Sequence, residues 1–155
     1  DFEDHMTTAF PEVRLKQFLE MRGADSGMWS NICALPAFWV GLLYDQTSLD
    51  AATALAADIG PDDVMAARLS VATDGFNGTL AGHRVYELAS QLVALSREGL
   101  QRRAITDSAG NDESGFLSPL GDCLQTQMTP AEALVHQLHG GWGGDLSKIF
   151  TTNSF

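Results

Sequence analysis

The stretch that decides the fold is VRLKQFLEMRGAD, which runs from Val13 to Asp25. Apolar side chains occupy alternate positions in it, with Gln17 as the one exception, and mostly charged side chains lie between them. Such alternation is typical of a β-strand, whose side chains point to opposite faces in turn. The stretch therefore predicts a strand with one apolar face (Val13, Leu15, Leu19 and Met21) and one polar face (Arg14, Lys16, Glu20 and Arg22 among others).

Two charged residues on the polar face, Glu20 and Arg22, are two positions apart and would lie roughly 6–7 Å from each other along a strand. A carboxylate is a hard oxygen ligand suited to Mg²⁺, and a guanidinium suits phosphate oxygens. The pair could thus hold a metal–nucleotide, and Gly23 would let the backbone approach a ligand closely. The pattern alone nevertheless favours a solvated sheet face with an ordinary surface ion pair.

The rest of the chain predicts helices. The apolar run ICALPAFWVGLLY, Ile32 to Tyr44, is shorter than the roughly 20 residues of a membrane span and indicates a buried helix. Ser48 could cap a second helix that Gly60-Pro61 ends, and a short helix would start at Asp62 or Asp63. A long helix is expected from about His83 to Arg103. TPAE, Thr129–Glu132, matches a capping box, and that helix would end at Gly140.

Composition limits the classes of function. The chain has 155 residues, 45% of them hydrophobic and 19% charged, which is typical of one folded domain. Its net charge of −11 argues against a nucleic-acid partner, because phosphate binding needs a basic surface. Cys33 and Cys123 form no disulfide framework; their apolar neighbours predict buried thiols, and we expect a reducing, cytoplasmic location. No signal peptide is recognised, and Asp1 in place of Met suggests a processed product or a fragment.

Three further patterns could be sites but have simpler explanations. His136 and His139 lie three apart on a predicted helix and could ligate zinc, but an exposed pair is favoured because no third ligand lies at the right spacing. GGWGGDLSK, Gly140 to Lys148, fails the phosphate-loop spacing and suits a helix stop and a turn. The basic cluster of Arg97, Arg102 and Arg103 complements a helix C-terminus, with phosphate binding as the alternative.

Longer blocks of the sequence resemble a known family. HMTTAFPEVRLKQFLEMRGADSG, His5 to Gly27, and ICALPAFWVGLLYD resemble the C-terminal part of glutamate–cysteine ligase of the plant and proteobacterial type. GLQRRA, ESGFLSPL and TPAEALVHQLHGGWGGDLSKIF agree with it later in the chain. Residues 1–155 are accordingly expected to be one segment, the C-terminal portion of a larger ligase catalytic domain. SGMWSN departs from the family's usual Gly-Pro-Trp followed by basic residues.

The resemblance implies a fold and an activity. The fold class would be helix-rich α+β, with one or two N-terminal strands in an antiparallel catalytic sheet like that of glutamine synthetase, followed by a bundle of amphipathic helices. The family uses ATP to phosphorylate the γ-carboxylate of glutamate, after which the cysteine amine displaces phosphate in the first step of glutathione synthesis. Mg²⁺ ions would bridge the phosphates. The remainder of the ligase would lie upstream, and the oligomeric state stays open, a homodimer included.

The resemblance also assigns roles to residues. Glu20 corresponds to a metal-binding glutamate and Arg22 to the arginine that contacts the transferring phosphoryl group. Thr7 and Thr8 match the family's paired threonines and would line the substrate pocket. Arg14 shares the polar face and would also bind substrate or nucleotide, although a single strand would place it farther away; His5 and Lys16 receive no role.

Two alternatives to this function remain open at the level of sequence. One is a related ligase that joins glutamate to a different amine, because the acceptor pocket cannot be recognised in these residues. The other is a helical interaction or capping module without catalysis. In every case one strand cannot assemble a site with several metal ions, so the segment by itself is expected to have no ligase activity.

Overall fold

The computed structural model describes residue 5, residues 11–25 and residues 27–152 of the chain. Helices dominate this part, and each of its two sheets is a two-stranded antiparallel hairpin. The α+β, helix-rich fold class is therefore confirmed. The helices are α1 (Trp29–Leu43), α2 (Gln46–Ala56), α3 (Pro61–Asp74), α4 (Val85–Arg103), α5 (Ser118–Thr126), α6 (Pro130–His139) and α7 (Lys148–Thr152).

The alternating stretch folds into two strands rather than one. Strand β1 (Val13–Leu15) pairs antiparallel with β2 (Leu19–Met21), and the residues between them reverse the chain. The Lys16 N–H donates to the Phe18 carbonyl at 2.9 Å and tightens this turn. The position of Gln17, where the alternation fails, is therefore the turn. The expectation of a single continuous strand was wrong, because the chain turns at that break.

A second hairpin, which was not predicted, lies between α3 and α4. Strand β3 (Thr79–Leu80) pairs with β4 (His83–Arg84), preceded by a 3-10 turn at Gly75–Asn77. The two positions of its tight turn, Ala81 and Gly82, have positive φ values of 50° and 81°. Strands of two residues give too little alternation to be recognised from sequence.

The core lies where α1 crosses α4. Ala37, Leu100 and Leu117 are buried together, with Phe38, Val40 and Leu120 packed against them. Two buried hydroxyls connect the helices to distant backbone: Ser96 donates to the Phe38 carbonyl at 2.9 Å, and Ser48 donates to the Leu95 carbonyl at 2.8 Å. Because both hydroxyls have acceptors, their burial carries no penalty for an unsatisfied polar group.

The helix boundaries correct several predictions. α1 begins three residues before Ile32, and its first turn is exposed, with Trp29 69% accessible, so only one face of this helix is buried. Asp45, not Ser48, caps α2 by accepting from the Ser48 N–H at 2.9 Å. Pro61 is the first residue of α3 and does not merely end the preceding helix, since proline suits the first helical turn.

Two predictions about the later helices are confirmed, and one further helix was not predicted. α4 begins within two residues of the predicted start, and the Thr129–Glu132 capping box of α6 is present. α5 was not predicted; it continues from a 3-10 turn at Glu113–Leu117. Within the described ranges, none of the helices combines the length and apolar character that crossing a bilayer would need.

Candidate functional site

The hairpin register gathers the charged residues on one face. Arg14 lies opposite Glu20, and the neighbouring pair Val13 and Met21 is also in register. One step farther, the Arg22 N–H donates to the Glu12 carbonyl at 2.8 Å and extends the ladder. Because side chains alternate along a strand, Glu12, Arg14, Glu20 and Arg22 belong to the same face.

Arg14 and Glu20 form an ion pair across the hairpin. The Arg14 Nε donates to a Glu20 carboxylate oxygen at 2.7 Å, and both side chains are about one third exposed. The expectation that Arg14 lies farther from Glu20 than Arg22 does was wrong, because it assumed one extended strand. The turn at Lys16–Phe18 brings Arg14 directly opposite Glu20.

The electrostatics of this face favour the ionised form of Glu20. The hydrogen bond from Arg14 is the largest cause that lowers the pKa of Glu20 below its ordinary value, opposed by desolvation. The charges of Arg14, Lys16 and Arg22 lower this pKa further. Glu20 thus has one direct cationic partner, Arg14, and two further cations whose charges act on it, so the face offers an ionised oxygen ligand beside positive charge. Such a combination suits a bound metal–phosphate group.

The opposite face of the hairpin is only partly covered. Val13 and Met21 border a cavity of about 390 Å³ against α1, where Leu35, Phe38 and Trp39 line the other side. Farther along the hairpin, Leu15 is 79% exposed and Leu19 58% exposed. The end of the hairpin near Arg22 therefore borders this cavity beside α1, and the apolar side chains near the turn are exposed to solvent.

Glu20 fits a magnesium ion as one ligand of several. It is ionised, and only its Oε2 is engaged by Arg14. Mg²⁺ is usually held by one or two carboxylates together with waters and substrate phosphates, so a single carboxylate is compatible with it. Among the residues that the structure describes, no group of three or more His, Cys, Asp or Glu side chains forms a complete metal site.

Of the other residues predicted at the site, Thr7 and Thr8 lie outside the described residues. His5 is described and exposed, but residues 6–10 between it and the hairpin are not. Lys16, for which no role was predicted, lies in the turn, and its charge acts on Glu20. The structure thus brings Arg14 and Glu20 into contact, and the charges of Lys16 and Arg22 act on the same carboxylate.

Two arginines of the basic cluster on α4 pair with acidic residues, and the glycine-rich segment forms a turn. Arg102 binds Asp45 at 2.8 Å and Glu98 at 3.4 Å. Arg103 lies 3.5 Å from Glu113 and over the ring of Tyr44. The glycine-rich segment after α6 forms a turn in which Gly143 and Gly144 have positive φ values.

The two histidines and the two cysteines receive no support as sites. His136 and His139 line a shallow groove along α6 with apolar neighbours such as Val135. Cys33 and Cys123 are free thiols and both are partly buried. Desolvation chiefly raises the pKa of Cys123, and the nearby Asp122 adds to it. A raised pKa disfavours the reactive thiolate at neutral pH.

Sequence reasoning missed Glu12 and Arg68. The Glu12 carboxylate lies 3.2 Å from the Arg68 guanidinium on α3, and a Cβ added to Gly23 would lie 2.9 Å from the same carboxylate. Glu12 could have been found, since it continues the two-residue spacing of Arg14 and lies at the register position opposite Arg22. Arg68 leaves no such signal, because its contact joins residues far apart in sequence.

Comparison with known proteins gives consistent matches. The family model described as Glutamate-cysteine ligase family 2 (GCS2) matches residues 1–152. Chloroplastic glutamate–cysteine ligases of Nicotiana tabacum, Arabidopsis thaliana and Solanum lycopersicum are each 43% identical to the chain over 97% of its length. The chain spans about 28% of the length of each of these relatives. Since these relatives are named chloroplastic, the prediction of a cytoplasmic location is wrong.

Proposed function

Because the chain belongs to glutamate–cysteine ligase family 2, we propose that it forms part of an enzyme that joins the γ-carboxylate of glutamate to the amine of cysteine. The observation that carries this proposal is the 43% identity to ligases of that name along 97% of the chain. ATP is the proposed second substrate, and the product γ-glutamylcysteine starts glutathione synthesis. The cation-rich face of the hairpin supports this reaction, since it suits an anionic nucleotide.

The proposed reaction has two steps. An oxygen of the glutamate γ-carboxylate attacks the γ-phosphorus of ATP, the bond to the ADP oxygen breaks, and γ-glutamyl phosphate forms. The cysteine amine then attacks the acyl carbon; the C–N bond forms, the C–O bond to phosphate breaks, and the amine loses a proton. Positioning and neutralisation of negative charge supply most of the catalysis in phosphoryl transfer.

The residues of the hairpin have distinct proposed roles. Arg22 contacts the transferring phosphoryl group and stabilises its negative charge through its guanidinium N–H groups. Arg14 keeps Glu20 ionised and oriented through their ion pair and is available to nucleotide oxygens. Glu20 is one oxygen ligand of Mg²⁺, which when bound neutralises charge on the phosphates. Thr7 and Thr8 are proposed to line the substrate pocket.

The test uses an intact ligase that carries this segment. Glu20→Gln and Arg22→Ala should each reduce phosphate release from ATP, measured with glutamate and cysteine present, by roughly 10²-fold or more, the scale of one lost preorganised contact. Arg97→Ala is the matched control, because this exposed arginine of α4 lies outside the hairpin, and it should retain normal turnover. Near-normal turnover in both hairpin variants would contradict the assigned site.

The acceptor is tested separately with a panel of amines. We expect cysteine to support the fastest ATP-dependent peptide formation by the intact ligase, with γ-glutamylcysteine identified by mass spectrometry. Faster turnover with another amine would leave the acyl-phosphate step in place but assign the enzyme to a related glutamate–amine ligation.

A further inference from the structure

Glu12, a residue outside the proposed ligand set, lies beside the backbone of the arginine proposed to bind phosphate. Glu12 accepts the Arg22 N–H through its carbonyl at 2.8 Å, and its carboxylate lies against Gly23. The same carboxylate is paired with Arg68 of α3 at 3.2 Å. We propose that Glu12 and Arg68 are positioning residues, which fix Arg22 relative to the helical part of the fold. This inference rests on the proposed function of Arg22.

The backbone contact sets the direction of the chain at Arg22. It occurs one residue beyond the last paired position of β2, Met21, where the hairpin ladder would otherwise end. Without it, the chain from Arg22 onward would be free to leave the plane of the hairpin. A hydrogen bond at this point therefore keeps Arg22 extended and its side chain on the face of Arg14 and Glu20.

The Glu12 carboxylate lies close to the residue that follows Arg22. A side chain at position 23 would meet the Glu12 carboxylate oxygen at 2.9 Å, so glycine is the residue that allows this close approach. Glu12 thus bonds to residue 22 through its backbone, and its carboxylate lies close to residue 23. We expect a displacement of Glu12 to be passed to Arg22 chiefly through the backbone hydrogen bond.

Arg68 connects this arrangement to α3. Its side chain is 62% exposed and that of Glu12 is 54% exposed, and ion pairs with this much solvent contribute little to overall stability. We expect this contact to matter for the position of Glu12 and not for the stability of the fold. α3 packs against the second hairpin, so the Arg68 guanidinium offers Glu12 a partner fixed in the helical part of the fold.

The experiment measures Arg68 variants in an intact ligase that carries this segment, in two backgrounds. In the wild-type background, Arg68→Ala should lower kcat about 5-fold, well below the roughly 10²-fold that a 1 Å misplacement can cost. The KM values for glutamate and cysteine should change by less than about 2-fold, since only a transition-state contact is disturbed. Arg68→Lys should recover most of the lost kcat, and Arg97→Ala should lose none.

The second background is Arg22→Lys, which keeps a positive charge but removes the planar guanidinium. If Arg68 acts through the Arg22 guanidinium, Arg68→Ala should cause no further loss of kcat there, because coupled residues are not additive. An equal loss in both backgrounds, or full kcat of Arg68→Ala in the wild-type background, would overturn the inference. Thermal unfolding of each variant confirms that the proteins compared are folded.

These measurements distinguish a failure of the proposed role of Arg22 from a failure of the positioning role of Glu12 and Arg68. If Arg22→Lys and Arg22→Ala both keep normal turnover, the proposed role of Arg22 is wrong and the inference falls with it. If Arg22→Lys is impaired but the Arg68 effect is additive, the role of Arg22 stands and only the positioning role of Glu12 and Arg68 is refuted.

Discussion

Gly41 of α1 and Gly99 of α4 are in backbone contact where the two helices cross. A Cβ added to Gly99 would overlap the Gly41 carbonyl oxygen, and one added to Gly41 would overlap the Ser96 carbonyl and hydroxyl oxygens. The Ser48 hydroxyl lies 2.8 Å from the same position on Gly99. The helices therefore approach closely because neither has a side chain at the crossing, and the obstructing atoms are mostly backbone that cannot rotate away.

Gly99→Ala should destabilise the fold by about 2 kcal/mol, because overpacking against backbone outweighs the gain of roughly 1 kcal/mol in helix propensity. The melting temperature of the chain should fall by about 4–8 °C. Gly115→Ala is the matched control, since nothing lies within 4 Å of its added Cβ. Equal melting temperatures for the two variants would mean that α1 and α4 can move apart enough to accept a methyl group at Gly99.

Acid stability should depend on Asp45. Hydrogen bonds from Arg102 and then from the Ser48 N–H lower the pKa of Asp45 from 3.8 to about 2. A lowered pKa in the folded state adds stability above the ordinary value, and this contribution disappears as the pH falls from about 4 through 2. Asp45→Asn should reduce the free energy of unfolding at pH 7 and flatten its pH dependence in that window.

Arg102→Met provides the companion measurement for Asp45. It removes the main cause of the lowered pKa, so urea unfolding between pH 4 and 2 should show the same flattened dependence. If the free energy of unfolding of Arg102→Met depended on pH as steeply as that of the wild type, the Ser48 N–H alone would sustain the ionised Asp45 carboxylate.

The start of α6 should depend on its capping box. The Thr129 hydroxyl accepts from the Glu132 N–H at 3.2 Å, and the Glu132 carboxylate accepts from the Thr129 N–H at 2.7 Å. Thr129→Ala should cost about 1 kcal/mol of helix stability, measured as faster amide hydrogen exchange in the first turn of α6. Thr126→Ala, at the end of α5, should leave that exchange unchanged; equal acceleration in both would contradict the local effect.

The 155-residue chain alone should form no γ-glutamylcysteine from ATP, glutamate and cysteine. Its polar hairpin face contributes Glu20 as the proposed metal ligand, and the described residues provide no cluster of three acidic, histidine or cysteine side chains. The measurement is mass spectrometry of the product after prolonged incubation with Mg²⁺. Product formation that Glu20→Gln abolishes would show that this segment contains a sufficient active site.

Much of the fold follows from local patterns. The long amphipathic helix α4 and the capping box of α6 were predicted because their signals are contained within a few turns of chain. α5 and the second hairpin were missed because each is short and depends on packing for its existence. The cap of α2 was assigned to Ser48, but Ser48 instead donates its hydroxyl to Leu95, a partner that no local pattern reveals.

For the candidate site, the sequence predicted which described residues share a face but not how they are arranged. Alternation correctly placed Arg14, Glu20 and Arg22 on one face, since that property survives the turn. The predicted distance between Arg14 and Glu20 was too long, because the chain turns where the alternation breaks and places the two residues opposite each other on paired strands. The contact of Glu12 with Arg68 joins the hairpin to a helix more than fifty residues later, and such pairings are decided by tertiary packing alone.

The hydroxyl of Ser96 and its acceptor at Phe38 are 58 positions apart in the chain, and this separation has a consequence for biosynthesis. While the ribosome has made α1 but not α4, the face of α1 that α4 covers lacks its main partner through the synthesis of about fifty residues, and α2 is the only helix made in time to pack beside α1 among those that the structure describes as contacting it. At 5–20 residues per second this interval lasts on the order of several seconds. A stall in that interval would leave an apolar helix open to aggregation, so the rate of translation itself should influence the yield of folded protein.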